Sequence, residues 1–382
     1  MTKVKIFMFL IFLLINGSCL LAQDNNGFHF KLKGPISEVS ESSGLIWTEG
    51  RLWTFGDSGN PAILYAVDTT NGQVIQTLRV SNYDNNDWED IAADKQFLYI
   101  GDFGNNYGDR TNLRILKIRK SDIGTGSFQN ITAEAINFSY ADQNSFALNQ
   151  SNNYDCESMI SKGDSLYLFS KDRGDFRTRV YALPKTPGTY VVSPVTSYNI
   201  GAMVCGADYD SLSNQLVLIG YGRHHLNSFL FQARDFSGNQ FFSSFKKKVI
   251  IGNDYTQWQT EGIAFRDSSD VFVSCESTSD IPASLFTFDL NQLNITSVPN
   301  FPENKFSIYP NPTSGKLHVR LQQRINQIII RDLSGQVLFS KPVNDTNLSL
   351  DLSLLHLKNG CYLAELLGTH ENYFSRFMYF RN

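Results

Sequence analysis

Cysteine and proline are scarce in this sequence, with 5 cysteines and 11 prolines among 382 residues. So few cysteines cannot form the disulfide framework on which small secreted domains depend. The four that follow the N-terminal segment are Cys156, Cys205, Cys275 and Cys361, from which we expect at most one local bridge. With 42% hydrophobic and only 18% charged residues, the chain is not disordered and is long enough to bury a large core.

Basic residues are not in excess, since 33 Lys and Arg stand against 37 Asp and Glu and the formal net charge is −4. A surface that neutralises phosphates needs the opposite balance, so we expect no nucleic-acid partner. Several catalytic motifs are also missing from the sequence: the GxSxG elbow, HExxH, the GxxxxGK[ST] loop and any CxxC pair. The common hydrolase and nucleotide-binding signatures are therefore excluded.

Long hydrophobic runs are rare as well, and the one near the N-terminus is short. It extends from Ile6 to Ile15, follows two lysines and precedes small residues, a pattern typical of a secretory signal peptide. We predict a signal peptide over residues 1–22, with Cys19 leaving lipoprotein processing as the alternative. Because this run is too short to cross a bilayer and no other run is longer, we expect no transmembrane anchor.

The C-terminal part changes character at Phe306. Runs of alternating apolar and polar residues follow one another, separated by turn signals such as Ser334-Gly335 and Asn359-Gly360. This pattern predicts a small immunoglobulin-like β-sandwich over residues 306–382, joined to the preceding part by a linker at 299–305.

Four spaced motifs in this region occur in a particular order: YPNPTSG, RDLSGQV, NGCY and a basic aromatic tail. Together they resemble the type A sorting domain of the type IX secretion system of Bacteroidetes, with Arg376 standing where that family usually has lysine. The resemblance implies that the type IX secretion machinery acts on residues 306–382. It also implies passage through the periplasm to the outer-membrane surface or the medium, with the protein either released or attached to surface lipopolysaccharide.

The middle of the chain repeats a two-part pattern five times. The first part places an acidic or small residue before an apolar strand, as in SESSGLIW (40–47), DWEDIAAD (87–94), DCESMISK (155–162), VCGADYD (204–210) and QTEGIAFRD (259–267). The second part is a six-residue strand, as in LWTFGD (52–57), FLYIGD (97–102), LYLFSK (166–171), LVLIGY (216–221) and VFVSCE (271–276). Short strands in a repeat, without helical periodicity, predict a β-propeller.

We therefore predict an all-β protein whose residues 24–298 form a propeller of five four-stranded blades. The fifth repeat lacks an outer strand, and FHFKLKG (28–34) is expected to supply it and close the ring. A sixth blade would fit the long interval between Glu89 and Glu157. A two-sheet sandwich is the alternative fold, but it does not explain five copies in register.

In a propeller, the start of each innermost strand and the end of the second strand lie at the same mouth of the central channel. The repeats place at this mouth Glu41, Glu89, Glu157 and Glu261 from first strands, and Asp57, Asp102, Lys171, Tyr221 and Glu276 from second strands. Glu41 is two residues out of register, a spacing that keeps a strand side chain on the same face. Aromatic candidates for stacking on a ligand nearby are Trp88, Tyr107, Tyr221 and Trp258.

Carboxylates that converge on one mouth repel each other, by about 4 kcal/mol for two charges 4 Å apart at an effective dielectric constant of 20. A hard cation such as Ca²⁺ would offset this repulsion, and so would ion pairs with Lys171, Arg110 and Arg173. Raised pKa values, as catalytic carboxylates have, are another solution. In the purely structural alternative, the acids cap turns by accepting backbone N–H groups.

The string EGIAF (261–265) is similar to a motif of secreted calcium-dependent propellers. This broad group includes phytase-like esterases, gluconolactonase-like proteins and the proteins called SdiA-regulated. In gluconolactonase-like proteins a channel-end glutamate binds a divalent cation, so the resemblance implies a metal role for Glu261, with Glu89 and Glu157 as its equivalents. The histidines and lysine clusters that phytases use for phosphate have no counterpart in this sequence.

Two functions follow as hypotheses. The first is a secreted or cell-surface binding module, with Ca²⁺ as the candidate cofactor and an extracellular small molecule, glycan or protein as its partner. The second is a hydrolase of phosphoesters, lactones or glycosides, in which two mouth carboxylates or a bound metal activate water. The distance between the carboxyl groups distinguishes them, because glycosidases need an open gap of about 5 to 9 Å.

Overall fold

The computed structural model of the chain describes residues 28–36, 38–252, 257–279, 281–294, 306–332, 336–368 and 372–380. The predicted signal peptide and the predicted linker lie outside the described residues. The chain divides between Asn294 and Ile295 into two compact units.

The first unit consists of short strands and contains no α-helix among its described residues. In chain order its strands are β1 (Lys31–Pro35), β2 (Ile46–Thr48), β3 (Arg51–Phe55), β4 (Ile63–Val67), β5 (Val74–Val80), β6 (Trp88–Ala93), β7 (Phe97–Asp102), β8 (Arg114–Arg119), β9 (Phe128–Ile131), β10 (Glu134–Tyr140), β11 (Cys156–Lys162), β12 (Ser165–Ser170), β13 (Thr178–Pro184), β14 (Gly188–Val192), β15 (Pro194–Tyr198), β16 (Met203–Asp210), β17 (Gln215–Tyr221), β18 (Phe229–Arg234), β19 (Phe245–Ile250), β20 (Thr260–Phe265), β21 (Asp270–Cys275) and β22 (Ser284–Asp289).

These strands form five sheets, which are the five blades of a propeller. Blade 1 is β2-β3-β4-β5, blade 2 is β6-β7-β8-β10, blade 3 is β11-β12-β13-β15, blade 4 is β16-β17-β18-β19, and blade 5 is β20-β21-β22-β1. Neighbouring innermost strands are linked by hydrogen bonds such as Gly44 N to Glu89 O (2.9 Å) and Met159 N to Asp90 Oδ2 (2.7 Å). The prediction of five blades is confirmed, and the described residues contain no sixth blade.

The ring closes through β1, which comes from the start of the chain and completes the last blade. It pairs antiparallel with β22, with Lys31 opposite Thr287 and Pro35 opposite Ser284. The predicted closing role of the segment before blade 1 is therefore confirmed. Phe30, just before β1, stacks on Phe288 with ring centroids 4.5 Å apart and meets Trp258 edge-on at 5.2 Å.

Two blades carry a fifth strand that comes from the next blade in the chain. The strand β9 pairs in parallel with β5 of blade 1, and β14 pairs in parallel with β10 of blade 2. Each excursion therefore covers the outer edge of the preceding blade, an edge that would otherwise expose unpaired backbone groups.

The blades have apolar side chains on both faces because each packs between two neighbours. In β17 every residue after Gln215 is buried, and its sequence is a nearly continuous apolar run. Between blades 1 and 2 the ring of Phe55 meets Trp88 edge-on, with centroids 5.6 Å apart. The four cysteines of the described chain are free thiols.

The second unit is a five-stranded antiparallel structure around its own apolar core. Its strands are β23 (Phe306–Tyr309), β24 (Lys316–Arg331), β25 (Val337–Asp351), β26 (Gly360–Gly368) and β27 (Asn372–Tyr379). The long strand β24 shifts register between Arg320 and Ile325; its first half pairs with β23 and its second half with β26. One strand thus serves two parts of the sheet, as expected of a small sandwich.

Within the described ranges, helical structure is limited to four short 3₁₀ segments: Lys120–Asp122, Arg223–His225, Leu290–Asn294 and Leu352–Leu355. In the described parts of the chain, no helix has the length and apolar character needed to cross a membrane.

Replacing Phe30 with alanine should loosen the closure of the ring. The variant removes the aromatic contacts to Phe288 and Trp258, and we expect it to lower the free energy of unfolding by about 2 kcal/mol in denaturant titration. The matched control is Phe128→Ala on β9, whose side chain is 57% exposed; it should change stability by less than about 0.5 kcal/mol. Equal effects of the two substitutions would contradict the proposed role of this contact.

Candidate functional site

A β-bulge occurs at the same point of the innermost strand in blades 2 to 5. In each strand the pairing register shifts across one residue, and that residue is in turn Glu89, Glu157, Cys205 and Glu261. A bulge re-aims a side chain out of the regular alternation of a strand, and bulges are common beside functional sites. The repeat therefore delivers one bulge side chain from each of these blades to the same mouth of the channel.

In blade 1 the position equivalent to these residues is Ser43. The residue before it, Ser42, bridges Gly56, just as Trp88, the residue before Glu89, pairs with Asp102 in blade 2. Glu41 therefore corresponds to Asp87 and not to Glu89. Its side chain is exposed, and its Oε2 accepts a hydrogen bond from Asn60 Nδ2 at 2.8 Å. The structure places Glu41 at the rim of the mouth.

The second strands also bring their terminal residues to this mouth, with one exception. In four blades, the second-strand residue that pairs with the residue before the bulge is followed directly by a mouth residue. These mouth residues are Asp57, Lys171, Tyr221 and Glu276. Asp102 is itself that paired residue in its blade, and the equivalent of the other four is the buried Phe103. A one-residue slip reverses the face of a strand side chain, which accounts for the different surroundings of Asp102.

Asp102 is held by two arginines. Its carboxylate lies 2.9 Å from Arg110 Nη2 and 2.7 Å from Arg114 Nη2, and it also accepts from Asn86 Nδ2 at 3.0 Å. The side chain is fully buried, and Arg110 and Arg114 of the same blade neutralise its charge. Asp102 therefore serves as a local anion for the loop that follows β7, and it is linked to Asp87 of the mouth, whose backbone N–H donates to Asp102 Oδ1 at 3.2 Å.

Two carboxylates at the mouth were missed by the repeat comparison, Asp87 and Asp155. Each precedes a bulge glutamate by two residues, as Asp-x-Glu in DWED and DCES. This pattern is visible in the sequence, but its meaning depends on the bulge, which the sequence does not reveal. Both side chains are buried, with Asp87 only 8% exposed.

Seven carboxylates surround the mouth, and we call this set the acidic ring: Asp57, Asp87, Glu89, Asp155, Glu157, Glu261 and Glu276. One oxygen from each of Asp57, Asp87 and Glu89 lies within 4.8 Å of the other two, and the same holds for Glu89, Asp155 and Glu157. Glu157 and Glu261 form a third such group with the sulfur of Cys205. Gln259 links Glu276 to the ring, since its Nε2 contacts Glu276 and lies 3.1 Å from Glu261 Oε1.

Protein cations neutralise one side of the ring. The Lys171 ammonium contacts the Glu157 carboxylate and lies 3.0 Å from the Tyr221 hydroxyl, which donates to Glu261 Oε1 at 2.8 Å. Burial by itself lowers the pKa of Lys171, but its neighbours Cys205, Glu157 and Glu261 outweigh burial and raise that pKa well above the usual range, so the ammonium stays charged.

Arg173 adds a second positive charge on the same side. Its Nε lies 3.0 Å from Asp155 Oδ2, and its Nη2 lies 3.5 Å from Glu157 Oε1. On the other side the nearest guanidinium is that of Arg110, whose Nη1 is 3.8 Å from Asp87 Oδ2. The positive charge is therefore unevenly distributed around the ring.

Asp57, Asp87 and Glu276 have raised pKa values because they are removed from water and lie beside other acids. Burial first, and then the charge of Glu261, raise the pKa of Asp57 to about 6 against a lowering hydrogen bond from Ser58. Burial and the charge of Asp57 raise the pKa of Asp87 to about 7. Burial, followed by the charges of Glu261 and Asp57, raises the pKa of Glu276 to about 9.

The Glu89 carboxylate has neither a salt bridge nor a hydrogen bond from any described residue. Burial and the charges of Glu157, Asp57 and Asp87 raise its pKa well above the usual range. The ring is thus charged at neutral pH only at a considerable cost in free energy, unless a cation from outside binds to it.

A cleft of about 610 Å³ adjoins the ring. Arg173 lines the cleft and also pairs with Asp155 and Glu157 of the ring. The other lining residues include Tyr107, Phe176, Arg223 and His224. The Arg223 guanidinium lies 4.7 Å from the centroid of the Phe176 ring. Of the aromatic candidates, Tyr107 is 49% exposed in this cleft, Tyr221 belongs to the ring contacts, and Trp88 and Trp258 are buried in the core.

The loop after Tyr221 has an unusual backbone. His224, His225 and Asn227 have φ values of 58°, 59° and 54°, in the left-handed region that non-glycine residues rarely occupy. The His225 ring lies 4.9 Å from that of Tyr221, and its carbonyl accepts from Trp258 N at 3.2 Å. Strained backbone of this kind occurs preferentially at binding sites, and here it borders both the ring and the cleft.

In protein freed of metal ions with a chelator, replacing Glu276 with glutamine should make the free energy of unfolding less sensitive to rising pH. A carboxyl whose pKa is raised on folding keeps its proton in the folded state and loses it in the unfolded state, so its penalty grows as pH rises from about 4.5 to about 9. The free energy of unfolding of the variant should exceed that of the wild type increasingly over this window, by at most about 1.4 kcal/mol per pH unit. Denaturant titrations at pH 5 and pH 8.5 measure this, with the exposed Glu134→Gln as control. Parallel curves for wild type and Glu276→Gln would contradict the expectation.

Comparison with solved structures finds weak similarities. The chain is 12% identical to PorZ, a bacterial surface component of the type IX secretion system of Porphyromonas gingivalis; the match covers 89% of this chain and 45% of PorZ, with a TM-score of 0.31. An exo-β-1,3-galactanase from Phanerochaete chrysosporium is 10% identical over 89% of this chain and 95% of its own, with a TM-score of 0.43. A quinoprotein alcohol dehydrogenase-like protein from Bacteroides thetaiotaomicron is 12% identical over 80% of this chain and 68% of its own, with a TM-score of 0.31.

None of these structures is similar enough to assign an activity, and the chain spans less than half the length of PorZ. No curated protein matches the chain. Residues 307–379, however, match the secretion system C-terminal sorting domain. This confirms the predicted sorting domain, and it indicates export by the type IX secretion system to the cell surface or the medium.

Proposed function

We propose that this protein is an exported binding module whose propeller holds a divalent cation at the acidic ring and binds an extracellular ligand in the adjoining cleft. The observation that carries this proposal is the imbalance of charge at the mouth. Seven buried or half-buried carboxylates face Lys171 and Arg173 on one side and only the more distant Arg110 on the other.

The donor set favours a hard cation such as Ca²⁺. Six to eight oxygen ligands at about 2.3 to 2.6 Å surround Ca²⁺ in proteins, and carboxylates are its preferred charged ligands. The ring offers groups of carboxylate oxygens within 4.8 Å of one another, and none of its seven members is a histidine. Because the extracellular medium supplies calcium at high concentration, a site of modest affinity is sufficient there.

The hydrolase hypothesis is less well supported by the distances. A glycosidase needs two carboxyl groups about 5 to 9 Å apart with a sugar or water between them. In the ring, neighbouring carboxylate oxygens lie within 4.8 Å, and most of the side chains are more than nine-tenths buried. The spacing within these groups suits an ion better than a sugar.

The cleft supplies the features of a ligand site. Its volume falls in the range of small-molecule pockets, about 300 to 1,000 Å³. It combines the aromatic rings of Tyr107 and Phe176 with the guanidinium groups of Arg173 and Arg223. Rings and guanidinium groups together favour an anionic ligand with a flat face, such as an acidic sugar.

Calcium should stabilise the full-length protein after removal of metal with a chelator. A ligand that binds only the folded state adds about 2.7 kcal/mol at a concentration 100 times its dissociation constant. For a domain of this size that corresponds to a rise of roughly 5 to 10 °C in melting temperature. Thermal melting in CaCl₂ and in EDTA at equal ionic strength measures the effect, with KCl as the control salt. Identical melting curves in both would contradict the proposed cation.

The cleft should bind acidic glycans without cleaving them. The calcium-loaded protein is applied to an array of neutral and uronic-acid oligosaccharides, and the bound sugars are then analysed for cleavage products. We expect retention of acidic members, and at least tenfold weaker retention by Arg223→Ala, because that variant removes a charged hydrogen-bond donor. The matched control is Arg177→Ala, which removes a guanidinium outside the cleft lining. Cleavage products would favour the hydrolase instead.

A further inference from the structure

The acidic ring consists of two halves that the protein treats differently. The Glu157 half, with Asp155 and Glu261, receives the Lys171 ammonium, the Arg173 guanidinium and the Tyr221 hydroxyl. The other half consists of Asp57, Asp87 and Glu89. We call it the open half, because no lysine or arginine of the described chain lies within 3.5 Å of its carboxylates.

The open half contains a buried oxygen without a partner. Asp87 is 8% exposed, and no group in the part of the chain that the structure describes donates a hydrogen bond to its Oδ1. The other oxygen lies 3.8 Å from Arg110 Nη1. This guanidinium is already engaged, because Nη1 donates to the Gly104 carbonyl at 2.6 Å and Nη2 pairs with Asp102 at 2.9 Å. A buried carboxylate oxygen is seldom left in this condition unless an ion or water satisfies it.

Gly104 allows the Glu89 and Asp87 carboxylates to lie directly against the backbone. A Cβ atom at this position would lie 2.1 Å from Glu89 Oε1 and 2.4 Å from Asp87 Oδ2. The backbone of Gly104 is not in the left-handed region, so conformation alone does not require glycine here. The absence of a side chain therefore serves the two carboxylates and not the chain path.

The oxygens of the open half are arranged as ligands around one point. One oxygen each from Asp57, Asp87 and Glu89 lies within 4.8 Å of the other two. Ligand oxygens about 2.4 Å from a shared Ca²⁺ cannot be farther apart than twice that length. The spacing of the three oxygens is therefore compatible with a shared ion.

We propose that the divalent cation is bound in the open half, by Asp57, Asp87 and Glu89, and that the Lys171 ammonium takes the place of a metal ion in the other half. This inference rests on the proposed function and locates its ion. It differs from the sequence-based hypothesis of a site at Glu89, Glu157 and Glu261, because the Lys171 ammonium already occupies the space between Glu157 and Tyr221. Three carboxylates without sulfur or imidazole favour Ca²⁺ over Zn²⁺.

The test is calorimetric titration of CaCl₂ into the metal-free full-length chain. Asp87→Asn and Glu89→Gln should each weaken calcium binding at least tenfold, because each removes a charged ligand. Glu157→Gln, on the side that Lys171 neutralises, should weaken it less than about threefold. Circular dichroism and the melting temperature establish that each variant is folded.

A glycine pair provides an independent arm that leaves every charge in place. Gly104→Ala displaces the Glu89 and Asp87 carboxylates from their positions and should reduce calcium affinity at least tenfold. Its control is Gly126→Ala, where the nearest atom to the added methyl is 3.7 Å away; this variant should bind calcium as the wild type does.

Two results would overturn the inference, and they are distinguishable. If the wild type binds calcium but Glu157→Gln abolishes binding while Asp87→Asn, Glu89→Gln and Gly104→Ala do not, the ion lies in the other half and the proposed function stands. If the wild type binds no calcium, both the location of the ion and the cation of the proposed function are rejected.

Discussion

The pairing of β1 with β22 is the contact on which the ring of blades depends. It joins a strand from the start of the chain to the last blade, so that every blade has a neighbour on each side and can bury both faces. The acidic ring depends on the same closure, because Asp57 comes from blade 1 whereas Glu261 and Glu276 come from blade 5. The apolar core between the blades therefore holds together carboxylates that would otherwise separate.

The mouth of the channel shows how a protein divides a large negative charge. Lys171 and Arg173 neutralise one half from within, and Tyr221 relays the Lys171 contact to Glu261. Among the described residues, the open half has only the Arg110 guanidinium nearby, 3.8 Å from Asp87. Binding sites often carry groups that destabilise the folded protein until a ligand arrives, and this arrangement fits that behaviour. The sorting domain, by directing export, places the mouth in a medium that contains such ions.

Much of the fold could be predicted because the same two-part pattern recurs five times in the same order. The five copies predicted the blades, and the missing outer strand of the fifth copy predicted the closing role of the segment before blade 1. The site was predicted less well. The six-residue strings ending at Asp57 and Asp102 look alike, yet their pairing registers differ by one residue, and Asp102 consequently faces Arg110 and Arg114. The Asp-x-Glu pattern of Asp87 and Asp155 was visible but had no meaning without the bulge.

The sequence by itself determined the export signal, the number of blades and the concentration of acidic residues at one end of the channel. These follow from local patterns: motif order, strand alternation and repeat spacing. Only the tertiary structure decided which carboxylates are neutralised by lysine and arginine side chains of the protein and which are not. That division depends on bulges, on a one-residue difference in register, and on the close approach of two carboxylates to the backbone at Gly104. All three are set by contacts between strands that are distant in the chain, and no local pattern encodes them.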